Sequence, residues 1–251
     1  MSLFEELIED REGDEKIVKS FKPKDTLSPQ IFEQDGKTFT MREDIRKRLL
    51  EISDDFIETL GIEFFIHDIV LTGSLSNYNW SNFSDIDLHI LIDFEDSDYD
   101  PELLKEFFDA KKNVWNEKHD ITIKGYDVEI YVQDVKEEHI SSGVYSILNN
   151  KWIVEPDKKK PNIDDKKILE KGEEYAKKIE NLIILSHKED VLDKIEVLRK
   201  KLKEFRQSGL DSGGEYSYEN LVFKLLRRNG YIEKLLKLKT DITDRKLTVR
   251  Q

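Results

Sequence analysis

A chain of 251 residues is long enough to bury a hydrophobic core without staples, and at roughly 150 residues per domain it forms one large domain or two small ones. It has no cysteine, which excludes disulfides, thiol nucleophiles and thiolate metal sites, and its 10% aromatic content argues against a disordered acidic tail. There is no run of 18 apolar residues, and the amino terminus from Met1 to Asp10 is acidic and amphipathic. Neither a membrane span nor a secretory signal is expected, and the chain reads as cytoplasmic.

The net charge of −13 is unevenly spread. Residues 158–251 carry seven more basic than acidic side chains, whereas residues 1–157 carry twenty more acidic than basic ones. The charged, proline-bearing stretch from Glu155 to Pro161 reads as a linker. The expected division is therefore 1–155, including an irregular segment over 1–39, and 156–251. The acidic part suits cations and the basic part suits phosphates, although charge also serves simply to keep surfaces soluble.

Residues 1–39 predict a short helix followed by irregular chain with Pro23, Pro29 and Gly36. Thr40-Met41-Arg42-Glu43 has the form of a capping box, and Ile45, Leu49, Ile52, Phe56 and Leu60 follow at helical spacing until Gly61 stops the helix. Phe64 to Leu71 reads as a strand ended by Thr72-Gly73-Ser74. A second strand, from about Ile86 to Phe94, alternates Ile86, Leu88, Ile90 and Ile92 against Asp85, Asp87 and His89. Pro101 opens a helix through Trp115. Ile121–Ile123 and Val128–Val132 form strands around Lys124-Gly125, with Asp127, Glu129 and Tyr131 on the face opposite Val128, Ile130 and Val132. Beyond Pro161 the pattern is helical, over Ile168 to Ile183, Val191 to Phe205, Leu221 to Arg228 and Ile232 to Leu238, with Gly209, Gly213 and Gly214 breaking the chain. The fold class is α+β: a mixed sheet flanked by helices, then an all-α carboxyl-terminal domain.

The chemistry concentrates between Leu71 and Leu88. Carboxylates at i and i+2 of a strand share a face with Cα atoms roughly 6.5 Å apart, where they repel unless a cation lies between them. Mg²⁺ prefers such oxygens and keeps positions open for phosphate. One strand earlier, Gly73 lets backbone approach a ligand, and Ser74 offers a hydroxyl and an amide, an anion site should a helix begin there. A phosphate at Gly73-Ser74 and a metal at Asp85 and Asp87 would share one cleft.

Gly-Ser, about ten residues, then Asp-hydrophobic-Asp-hydrophobic resembles the signature of the DNA polymerase β-like nucleotidyltransferase superfamily, over roughly residues 64–132. The resemblance implies a third carboxylate from a later strand, for which Glu129 is the choice and Asp127 the alternative. It implies two Mg²⁺ ions held by Asp85, Asp87 and Glu129, and transfer of a nucleoside monophosphate from a nucleoside triphosphate to an acceptor hydroxyl with release of pyrophosphate. Glu129 or a hydroxide would take the proton. Gly73, Ser74 and Ser84 would serve nucleotide binding, Ser84 alternatively as a turn cap. The acceptor is RNA, protein or a small molecule. A catalytically inactive nucleotide- or partner-binding module on the same fold is the alternative, and a helical RNA-binding scaffold is a third reading.

Other residues carry two readings each. Tyr78, Trp80 and Phe83 either stack on a base or cover the core. His89 is a polar residue at the cleft rim rather than a ligand. Lys224 and Arg227, near Asn220 and Arg228 on one helix face, either reach phosphates or form a solvated face, as does the basic stripe from Lys194 to Arg206.

Overall fold

The computed structural model describes residues 13–96, 99–137 and 141–249; the stretch from Met1 to Asp10, expected to be amphipathic, lies outside them. The chain divides into two compact units, 23–160 and a helical unit that joins 161–251 with the first 22 residues. Ile17, Val18 and Phe21, on helix α1 (residues 13–20) and just after it, belong to the core of the helical unit although they precede the sheet in sequence.

The first unit begins with a hairpin, β1 (Phe32–Asp35) and β2 (Thr38–Met41), where irregular chain was expected. Gly36, at φ +59°, turns it. The hairpin also changes the start of helix α2 (Glu43–Leu60): Thr40 pairs with Glu33 inside the hairpin, so the apparent capping box is not one. Arg42 occupies the N-cap without a side-chain cap, and its guanidinium instead donates to Pro29 O and Glu33. Gly61 ends α2 in the left-handed conformation, as its position predicts.

Six strands form the main sheet in the order β5-β6-β4-β3-β7-β8. They are β3 (Asp68–Thr72), β4 (Ile86–Ile92), β5 (Thr122–Ile123), β6 (Tyr126–Asp134), β7 (Val144–Ser146) and β8 (Lys151–Val154). Only β4 and β6 are parallel; helix α3 (Pro101–Lys118) makes the crossover that parallel neighbours require. Asp100 caps α3, accepting from the amides of Glu102 and Leu103, with Pro101 in the first turn. Phe64 to His67, expected in β3, precede it, and Phe65 is exposed.

One face of the sheet is apolar. Ile69, Leu71, Ile86, Leu88, Ile90, Val128 and Ile130 are buried in one cluster with Leu49, Ile52 and Phe56 of α2 and Phe108 and Trp115 of α3. Fully burying such a side chain contributes roughly 1.5–3 kcal/mol, so this layer carries much of the unit's stability. Among the described residues the edge of β6 away from β4 has no strand partner at Ile130; Asn116 of α3 takes that place, donating to Ile130 O and accepting from Ile130 N, both at 3.1 Å.

The helical unit packs α4 (Asp165–Ile184), α5 (Val191–Gly213), α6 (Tyr218–Arg228) and α7 (Tyr231–Leu247) around Tyr175, Ile179, Ile195, Leu202, Leu225 and Leu235. Gly209 does not break α5, contrary to expectation. It is buried inside the helix where a Cβ would lie 2.6 Å from the Cβ of Glu219, so the residue permits close packing. Among the described residues, no helix is long and apolar enough to cross a membrane.

Candidate active site

The sheet's second face carries the polar residues. Asp85 immediately precedes β4, Asp87 and His89 lie along it, and Glu129, Tyr131 and Gln133 follow along β6. Period-2 alternation puts these side chains opposite the core, because Ile86, Leu88 and Ile90 must face inward. The parallel register sets Asp87 beside Glu129 and His89 beside Tyr131. On its other flank Asp87 pairs with Thr72, the residue before Gly73.

Asp85, Asp87 and Glu129 come together: one oxygen from each lies within 4.8 Å of the other two, and all three residues are half-buried. Oxygens around a Mg²⁺ at about 2.1 Å stand about 3–4 Å apart, so small side-chain rotations close this group on a hard divalent cation. A donor set of three carboxylates fits Mg²⁺ in kind as well as spacing. Asp127, the alternative third carboxylate, is exposed and lies outside the group.

Gly73 adopts φ +71°, and a Cβ built there would sit 1.8 Å from Asp87 Oδ2. The turn's backbone thus runs directly against the carboxylate, an approach only glycine allows. No helix follows: residues 73–76 form a turn, so the helix amino terminus that would bind an anion at Ser74 is absent. The Ser74 hydroxyl donates to Ser84 Oγ at 2.7 Å, and Ser84 Oγ also accepts from the Ser81 amide at 3.0 Å. Ser84 therefore ties the two ends of the connecting loop together, which matches its reading as a turn cap. Ser76 and Asn77 donate to Gly73 O, and Asn77 is bonded in turn to Ser141 and Ser142.

Tyr78 and Trp80 pack against the core, and Trp80 Nε1 donates to Thr26 O at 2.8 Å, whereas Phe83 is exposed. His89 shares a 2.8 Å hydrogen bond between Nδ1 and Gln133 Oε1 and stays outside the carboxylate group. Sequence reasoning passed over Tyr131. Its hydroxyl donates to Glu129 Oε2. Burial first, then the adjoining Glu129 and the charges of Asp87 and Asp85, push the phenol well above its usual range and keep it protonated.

Lys224 and Arg227 lie on α6 of the helical unit. Burial, followed by the like charge of Arg228, pushes the Lys224 ammonium down to about 8. Arg206 is also disfavoured by burial and by Arg227; it stacks 4.7 Å over Phe223, and its Nε donates to Asn220. Asn220 is buried and Arg228 donates to Ser20, so these two act within the unit's own packing. For Lys224 the sign is plain. The unfolded lysine titrates near 10.4, so between about pH 8 and 10 the unfolded chain holds the extra proton and stability rises with pH. Lys224→Met is expected to stabilise the protein at pH 7 by roughly 1–2 kcal/mol after screening, read as a higher melting temperature, with the gain fading by pH 10. Calorimetry at the two pH values checks this; a gain equal at both would show that the charge is not its source.

No protein-family model matches the chain, and no curated protein matches it. Among solved structures the chain is similar to a STING-associated CdnE c-di-GMP synthase from Capnocytophaga granulosa, with 13% identity, a TM-score of 0.22, and coverage of 82% of this chain and 84% of that one. A score that low does not establish a common fold.

Proposed function

We propose that the protein is a Mg²⁺-dependent nucleotidyltransferase. The reading rests on one observation: three carboxylates, on and just before two neighbouring parallel strands, converge within 4.8 Å, beside a glycine whose missing side chain leaves room for Asp87. A divalent cation there would supply charge neutralisation for a triphosphate and acidify an acceptor hydroxyl. Asp85, just before β4, and Asp87 on it would hold the ion, and Glu129 would complete the set from β6. The acceptor oxygen would form its bond to the α-phosphorus as the bond to the bridging α–β oxygen breaks, its proton passing to Glu129 or to a hydroxide, and pyrophosphate would leave with that electron pair. The turn at Gly73 would present backbone rather than side chain to the phosphates, and Lys224 and Arg227 are proposed, within the helical unit, as groups that bind phosphate. Half-buried Lys224 supports this: its ammonium is disfavoured by burial and by Arg228, and an anion beside it would relieve that.

One observation favours the alternative, a module that binds nucleotide or partner without turnover. The Ser74 hydroxyl is engaged by Ser84, and no helix amino terminus stands behind it. Incubation with each α-labelled nucleoside triphosphate and Mg²⁺, in a lysate containing RNA, protein and metabolites, separates the two. Transfer of label into one pool, lost on chelation of Mg²⁺, supports the enzyme; nucleotide binding with no transfer into any pool overturns it.

A further inference from the structure

Glu129 is the longest of the three carboxylate side chains, and an unheld glutamate samples many rotamers at an entropic cost that any ligand it binds must meet. Here it is held. Tyr131 lies two residues on along the same face of β6, and its hydroxyl donates to Glu129 Oε2, leaving the carboxylate its second oxygen for a cation. Tyr131 is itself fixed from two sides. The His89 ring lies against it at 4.9 Å between centroids and 31° between planes, where the β4–β6 register puts it, and His89 is anchored by Gln133. The Lys112 ammonium sits 4.9 Å over the tyrosine ring, and it is paired with Asp109 at 2.8 Å.

We propose that Tyr131 is a positioning residue, which, clamped between His89 and Lys112, holds the Glu129 carboxylate at the third corner of the metal site. The inference rests on the metal-site reading above. Partners that orient a ligand in this way typically change metal affinity by about 10–100-fold when removed. The test is Mn²⁺ binding to the full chain, by calorimetry or electron paramagnetic resonance, for the native protein, Tyr131→Phe, Glu129→Gln, the double variant and Asp87→Asn. Phenylalanine keeps the ring that His89 and Lys112 contact, so the fold is retained, as circular dichroism would verify. Tyr131→Phe is expected to weaken Mn²⁺ binding about tenfold, and the double variant to match Glu129→Gln within twofold, because the hydroxyl acts only through that carboxylate. Native-like affinity in Tyr131→Phe, or the same tenfold loss on the Glu129→Gln background, would overturn the proposal. If the native protein binds no better than Asp87→Asn, the metal site itself fails, an outcome distinct from failure of Tyr131 alone.

Discussion

Asp87→Asn is expected to lower nucleotidyl transfer by about a thousandfold or more, about 4 kcal/mol of transition-state stabilisation, while leaving the protein folded. Asp87 is the middle member of the site, flanked by Thr72 and the Gly73 turn on one side and by Glu129 on the other. Asparagine keeps its shape and removes its charge, so the loss would report on cation binding rather than on packing. Stability should move the other way. Two carboxylates about 4 Å apart repel by roughly 1 kcal/mol in water and about 4 kcal/mol at an effective dielectric of 20. With the metal chelated, the variant should therefore melt above the native protein, and added Mg²⁺ should reverse the order, since a ligand bound only by the native state stabilises by mass action. Activity above a tenth of native, or a melting temperature indifferent to Mg²⁺ in both proteins, would count against the site.

Gly73→Ala should damage the site almost as severely through geometry alone. The new methyl carbon would fall 1.8 Å from Asp87 Oδ2 and 2.8 Å from its Cγ, distances no structure sustains. The left-handed backbone adds about 1–2 kcal/mol of strain for any residue with a Cβ. The turn has little freedom to retreat, since Gly73 O accepts from both Ser76 and Asn77, and Asn77 is fastened to Ser141 and Ser142. The Asp87 carboxylate must swing away instead. The expected result is a folded protein, destabilised by about 1–3 kcal/mol, with Mn²⁺ affinity and transfer each down about a hundredfold. Denaturant unfolding alongside Mn²⁺ titration would check it, and native affinity would show that the close approach is not needed.

The α+β class and the carboxylate group were legible in the sequence because alternation leaves little choice. Once Ile86, Leu88 and Ile90 face a core, Asp85 and Asp87 must share the other side, and Val128 and Ile130 commit Glu129 in the same way. What was lost depends on contacts distant in the chain. Thr40 has the spacing of a cap, but pairing with Glu33 takes it into a strand. β7 and β8 are three and four residues long, too short for a period to show; β7 is fixed by pairing with β3, β8 by pairing with β7, and both by Tyr145, whose hydroxyl accepts from the Met41 amide and donates to Asn150. The amphipathic α1 helix looks like a free terminal segment until Ile17, Val18 and Phe21 are seen among α4–α7. Tyr131 gave no signal, because an aromatic residue on a half-buried strand is ordinary; only the register across to His89 shows what it touches.

The amide of Asn116, bonded to both backbone groups of Ile130, has a consequence for life in a crowded solution. A bare sheet margin invites recruitment of another molecule's extended segment and, in time, fibrils. By imitating a neighbouring peptide unit, a single side chain from the crossover helix closes that margin where the two-residue β5 has already ended, and so guards the strand that carries Glu129 against being enlisted into aggregates.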